Sequence, residues 1–288
     1  MSQARNEGIK IAKGEYLYFF DPDDYIEPRT LEILYNTAIE SNSDCVQFNY
    51  KVIDSESNEC VEGRNGDQET GVLDKNRILK EMLPQYIGYS ANSIKNYGSM
   101  DFYKNKEMCS VWRFLYRRSI ITDYKICFPK SISLGEDALF NCRFFCYAKR
   151  LRRIDDVLYT YFLKNCGAMF TLLKNPDALV YNKINGAEER HNIRELYKNE
   201  LAIDIFPLYA GSLFLSAVEL ATKLSNAKDG MKSFIEYTKK TEVREAFSII
   251  PLKGNIKVKI ILFLFKLKMF KLTFILIYCA NQIGLKLQ

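Results

Sequence analysis

The stretch that decides the fold is Gly14–Asp24, which reads GEYLYFFDPDD. Five aromatic and apolar residues, Tyr16, Leu17, Tyr18, Phe19 and Phe20, run into three carboxylates, Asp21, Asp23 and Asp24, broken by Pro22. A mostly apolar strand fits the interior of an α/β sheet. Acids at its carboxyl end stand where open α/β sheets bind ligands. Two carboxylates spaced one apart suit a hard divalent ion, Mn2+ or Mg2+, and such an ion can neutralise a diphosphate. A plainer reading also fits. Asp24 followed by Glu27 forms a capping box for a helix over 25–41, and Pro22 with its neighbours is ordinary turn chemistry. The two readings are compatible, since the cap needs only one of the three acids.

A second constellation lies at Gly135-Glu136-Asp137, ahead of an apolar stretch with Ala138, Leu139, Phe140, Phe144 and Phe145. An acid pair at a helix start is favoured by the helix dipole and satisfies free N–H groups, so the pair reads either as an N-cap or as a site. With the first constellation, the sequence resembles the family 2 inverting glycosyltransferases of the GT-A fold. The residues that carry the resemblance are Ala4-Arg5-Asn6-Glu7-Gly8-Ile9, Ala12-Lys13-Gly14-Glu15-Tyr16, Asp21-Pro22-Asp23-Asp24, Trp112 with Leu115-Tyr116-Arg117, Gly135-Glu136-Asp137 with Phe140, and Tyr159-Thr160-Tyr161. It covers about residues 1–170, and several separate motifs agree in order and spacing.

The resemblance implies transfer of a sugar from a nucleotide-diphosphate sugar to a saccharide or lipid-linked acceptor with inversion, in capsule, exopolysaccharide or lipopolysaccharide synthesis. Asp23, assisted by Asp21 or Asp24, would bind Mn2+ or Mg2+ on the diphosphate, with Asp21 and Asp23 the expected pair. Asp137 would take the acceptor proton, with Glu136 as the adjacent acid. Arg5 would brace the donor site or form a plain salt bridge. Trp112 would stack on an acceptor sugar or sit in the core. Members of the family carry a strand, a helix and a second strand ahead of the segment matched by Ala4-Arg5-Asn6. The expected architecture is therefore a GT-A (Rossmann-like) catalytic domain lacking its first β-α-β elements, followed by a helical region. The competing expectation is an inactive remnant, or a half-protein that needs a complementing N-terminal segment and acts as a membrane-surface binding module.

The rest of the chain sets bounds. At 288 residues it can bury a sizeable core. Eight cysteines are scattered with no C-x-x-C pair, which fits a reduced interior better than a disulfide framework. The N-terminus is charged and polar, unlike a signal peptide. Seven lysines and no acids fall from Lys253 to the end, so with a total of +6 the remainder comes to −1. The basic character belongs to the tail, and a nucleic-acid partner has no support. The tail's apolar blocks, split by Lys266, Lys268 and Lys271, fit an interfacial helix on an anionic membrane surface or a terminal helix packed on the body. The expected location is cytoplasmic, peripheral on the inner face of the membrane.

Patterning predicts a helix over 1–13 with Ile9, Ile11 and Ala12 inward, strands over 15–20, 45–53 and 157–163, and a loop over 54–71. It further predicts helices over 74–83, 136–148, 176–200, 201–226 and 228–247. Residues 84–106 read as irregular, in a position to shape acceptor recognition. The expected domains are 1–170 (catalytic), 171–252 (helical) and 253–288 (membrane-associating tail). His191, among charged neighbours, reads as a surface side chain.

Overall fold

A computed structural model describes residues 1–55, 57, 59–63, 69–99, 102, 108–163, 174–223 and 227–284. The chain divides into two compact units. One comprises residues 1–86 and 107–171, the other 87–106 and 172–288.

The first unit is built on a mixed sheet. Its strands are β1 (Tyr16–Tyr18), β2 (Tyr25–Ile26), β3 (Cys45–Asp54), β4 (Cys60–Gly63), β5 (Gly71–Asp74), β6 (Phe114–Arg117) and β7 (Arg150–Leu163). The path runs β1-β6-β3-β7-β2, with β4 added to β3 and β5 to β7. The central pair, β3 and β7, is parallel, and the other pairings are antiparallel. Strand β3 is buried on both faces, as the core strand of a covered sheet must be. On one face Val46, Phe48, Tyr50 and Val52 pack with Leu34 and Ala38 of helix α2 (Thr30–Glu40) and with Trp112, Leu158 and Tyr159. On the other side of the sheet, Tyr116 meets Phe140 and Phe144 edge-on. Both phenylalanines belong to a later helix, Glu136–Tyr147.

Helix α1 (Ser2–Ile11) turns a polar face inward. Its buried residues are Ser2 and Asn6, while Ile11 is 78% exposed. The expected apolar face therefore fails, for a specific reason. The Asn6 amide donates to the Phe128 carbonyl at 2.9 Å and accepts from the Phe128 N–H at 2.8 Å. Those two bonds dock the helix where apolar contact was expected.

Other boundaries shift. The helix expected over 25–41 starts at Thr30, because Tyr25 and Ile26 pair with Thr160 and Tyr159 of β7. Strand β7 is twice the predicted length, since charged residues such as Arg150 and Asp155 break the hydrophobic pattern inside it. Part of the loop expected over 54–71 is strand, β4 pairing with β3. Residues 64–68 of that loop lie outside the described set, as does Cys166. Helix α3 (Arg118–Asp123) precedes α4 (Glu136–Tyr147).

The second unit is helical: α5 (Pro176–Leu201), α6 (Phe206–Lys223), α7 (Ala227–Lys239), α8 (Thr241–Ile249), α9 (Ile256–Lys266) and α10 (Phe270–Gln282). Helix α5 opens with Asn175 accepting from the Ala178 N–H and with Pro176 in its first turn. The helix expected over 228–247 is split, with Lys240 between α7 and α8. Residues 87–99 lie along α6. Tyr89 N–H donates to Ser212 Oγ at 2.6 Å, Ser212 N–H to the Tyr89 carbonyl, and Ala91 N–H to the Pro207 carbonyl. A side chain at Gly211 would collide with the Ser90 carbonyl, so glycine there permits the close approach. Among the described residues no helix is long and apolar enough to cross a membrane.

Candidate active site

Four separate segments meet around one guanidinium. Arg5 of α1 donates to Asp21 at 2.8 Å, just past β1, and to Asp137 at 2.6 Å, in the first turn of α4. Glu136 lies 3.9 Å from the same group. Arg5 is 10% exposed and stands over the Phe128 ring at 5.3 Å. Beneath it Phe128 stacks on Phe140 at 4.1 Å, and Phe19 packs edge-on against both. The aromatic floor removes water from one side of the ion cluster, which strengthens each charge–charge contact and raises the cost of any unpaired charge.

Three carboxyl groups face one cation, and burial is the largest influence on the two in α4. Burial pushes the Asp137 carboxyl above its usual range; Arg5 and the Val111 N–H oppose the shift without cancelling it. Burial and the neighbouring Asp137 raise Glu136 in the same sense. For Arg5, burial disfavours the charge, and Asp137 and Asp21 more than offset it, so the guanidinium stays ionised. Groups whose environments move them toward neutrality are suited to proton transfer.

Asp137 is oriented from two directions. One oxygen accepts from Arg5, the other from the Val111 N–H at 3.1 Å. The 109–111 segment is held in turn by α4 and β6. Tyr116 Oη donates to Asn141 Oδ1 at 2.6 Å, and Asn141 Nδ2 donates to the Cys109 carbonyl. The N-cap of α4 is Gly135 at φ 92°, which offers no side-chain bond, and the Glu136 carboxyl meets its own backbone N–H. A left-handed residue at that point favours glycine. Each carboxylate oxygen carries two lone pairs, so Asp137 keeps capacity to accept a further proton.

Asp24 behaves differently from the other acids. It does not cap α2, whose N-cap is Arg29 without a side-chain bond. Its oxygens accept from Tyr159 Oη at 2.6 Å and from the Phe162 N–H at 3.0 Å. Tyr159 Oη also accepts from the Asp21 N–H at 3.3 Å. One tyrosine on β7 thus clamps both ends of the Asp21–Asp24 turn. Local pattern assigns Tyr159 no role, because its contact with the turn depends on where β7 lies in the sheet. Tyr18 is a second such residue. Its hydroxyl is buried just before the acids and has no hydrogen-bond partner among the described residues.

Trp112 is 2% exposed, stacked on Tyr159 at 4.1 Å and met edge-on by Tyr50. Its rings are engaged in the core, which corrects the expectation that it stacks on a sugar. His191 is a surface side chain in the helical unit, 2.6 Å from Glu242.

Among the described residues no group of three or more His, Cys, Asp or Glu side chains could hold a metal ion. Asp24 is engaged by β7, and Asp21 shares one oxygen with Arg5. Asp21 and the exposed Asp23 lie two positions apart on the same turn. Two carboxylates fit an ion of the Mg2+ or Mn2+ type, which takes its remaining ligands from phosphate and water.

The family described as Glycosyl transferase family 2 matches residues 1–124. Poly(ribitol-phosphate) beta-N-acetylglucosaminyltransferase TarP of Staphylococcus aureus (strain N315) is 27% identical over 209 residues, 72% of this chain and 52% of that protein. The uncharacterized glycosyltransferase EpsJ of Bacillus subtilis (strain 168) is 26% identical over 203 residues, 70% of this chain and 50% of that protein. The chain therefore spans about half the length of these curated relatives. The crystal structure of S. aureus TarS 1–349 in complex with UDP-GlcNAc superposes with a TM-score of 0.53 and 15% identity, covering 100% of this chain and 73% of that one. That likeness is one of fold. The α/β unit has the GT-A fold.

Proposed function

We propose that the chain carries the catalytic segment of an inverting glycosyltransferase. It would move a sugar from a nucleotide-diphosphate sugar to a saccharide or lipid-linked acceptor in bacterial surface-polysaccharide synthesis. The observation that carries this reading is Arg5, which ties Asp21 of the donor-side turn to Asp137 of α4. TarS is solved with UDP-GlcNAc, so UDP-sugars are the first donors to test.

In this reading Asp137 is the general base. The acceptor hydroxyl oxygen attacks the anomeric carbon opposite the diphosphate, and its proton passes to Asp137. The new C–O bond forms as the bond to the diphosphate breaks, and the electron pair leaves with the nucleoside diphosphate. Inversion follows from that in-line geometry. Arg5 orients Asp137 and Asp21 together. Glu136 lies beside it, with its own carboxyl raised by burial and by Asp137. Asp21 and Asp23 would hold the Mn2+ or Mg2+ ion, whose chemistry when bound is Lewis-acid neutralisation of the leaving diphosphate.

Asp137→Asn tests the reading. Transfer from UDP-sugars should fall about 100- to 10,000-fold, while donor binding by calorimetry and the melting temperature change little. Transfer near the wild-type rate in the variant would remove Asp137 from the role. No donor binding by the parent chain would leave the site without a substrate of this class.

A further inference from the structure

The α9–α10 pair has two apolar faces where a packed helix needs one. In α9, Val258, Ile261, Leu262 and Phe265 are buried, and Phe265 stacks on Phe247 at 4.0 Å. Opposite them stand Ile256, Ile260 and Phe263, with Leu267 at the C-cap, spaced four, three and four residues apart. At 3.6 residues per turn these four fall within an arc of about 60°, with Lys257 and Lys259 on either side. Helix α10 repeats the pattern. Thr273, Phe274 and Ile277 are buried, while Leu272, Ile275, Leu276 and Ile283 face out. The eight outer residues are each between 39% and 72% exposed. Scattered apolar side chains are normal on a surface, but two stripes on adjacent helices mark an interaction face.

Charge narrows the occupant. From Lys253 onward there are seven lysines and no acid. A second copy would bring like charges together, and a nucleic acid would leave the apolar stripes in water. A cleft of about 250 Å³ at the α8–α9–α10 junction is lined by Arg244, Lys266 and Lys268 together with Phe247, Phe265 and Phe270, a lining that suits a phosphodiester on an apolar stem. The helices have 11 and 13 residues, roughly 16 and 20 Å long, too short for a hydrocarbon core of about 30 Å.

We propose that the α9–α10 pair seats on the surface of an anionic phospholipid bilayer. The outer stripes enter the acyl boundary, and the lysines and the Arg244 cleft hold phosphate headgroups. The irregular lysine spacing of the tail then has a cause, since one apolar face is used by the protein and the other by lipid.

The whole chain is sedimented with vesicles of phosphatidylcholine alone and of phosphatidylcholine with phosphatidylglycerol. Binding should favour the anionic vesicles and weaken with added salt. The double variant Phe263→Ser, Ile275→Ser should bind them at least about tenfold more weakly, with its melting temperature retained because neither side chain is buried. Arg244→Glu with Lys268→Glu should lose the anionic preference. Three results would overturn the proposal: no binding by the parent chain, equal binding by the apolar double variant, or an oligomer that this variant dissolves while vesicles stay unbound. The last would assign the face to a second copy.

Discussion

Arg5 is the residue on which the site turns, and its neighbours make its removal readable in two ways. Arg5→Met leaves Asp21, Glu136 and Asp137 without their shared cation, and breaking a part-buried pair of this kind costs about 3–5 kcal/mol. Chemical denaturation at neutral pH should show that loss. Asp137 already titrates above the ordinary aspartate value of about 3.9, because burial outweighs Arg5. Its contribution to stability is therefore present below the unfolded value and is lost as pH rises through the folded one. A base must be ionised, so transfer should fall as pH drops through that same raised value. With Arg5 gone the opposing influence goes too, and the acid limb of the rate profile should move to still higher pH. An unmoved limb would separate Asp137 from the limb.

At the scale of elements, polar bonds decide where pieces sit and apolar area decides that they stay. Helix α1 carries Arg5 to the site, and Asn6 docks it. Asn6→Ala should destabilise the protein by about 1–3 kcal/mol, since it strands a buried N–H and carbonyl at Phe128. Activity should fall further than the lost stability explains, because Arg5 rides on the same helix. Urea melts and steady-state rates on the one variant check both halves. Strand β7 works similarly through Asp24. Asp24→Ala removes two bonds that β7 donates and should cost about 1–3 kcal/mol. Unchanged stability with lost donor affinity would return Asp24 to the ligand set.

For the whole molecule, thiol access follows burial. Cys45, Cys142 and Cys146 are buried, and Cys60, Cys127 and Cys279 are exposed. A maleimide applied to the native protein should mark the exposed three quickly and reach the buried three only on unfolding, as read by peptide mass spectrometry. A reducing agent should leave the melting temperature unchanged.

Residue order alone shows that an apolar strand ends in acids, that a second acid pair opens a helix after Gly135, and that the chain ends in helices rich in lysine. These are local patterns, set by period and by residue type within a few positions. It left open whether each acid is a cap, a tie or a site, because a carboxylate's partner is chosen by distance in space. Only the tertiary structure brought Arg5 to Asp21 and Asp137, across 16 and 132 positions, gave Asp24 to β7 and buried Trp112. It also showed α1 docking through Asn6 and the tail helices spending one apolar face on the protein. Periodicity reports that a face is apolar or polar, and packing alone decides what that face meets.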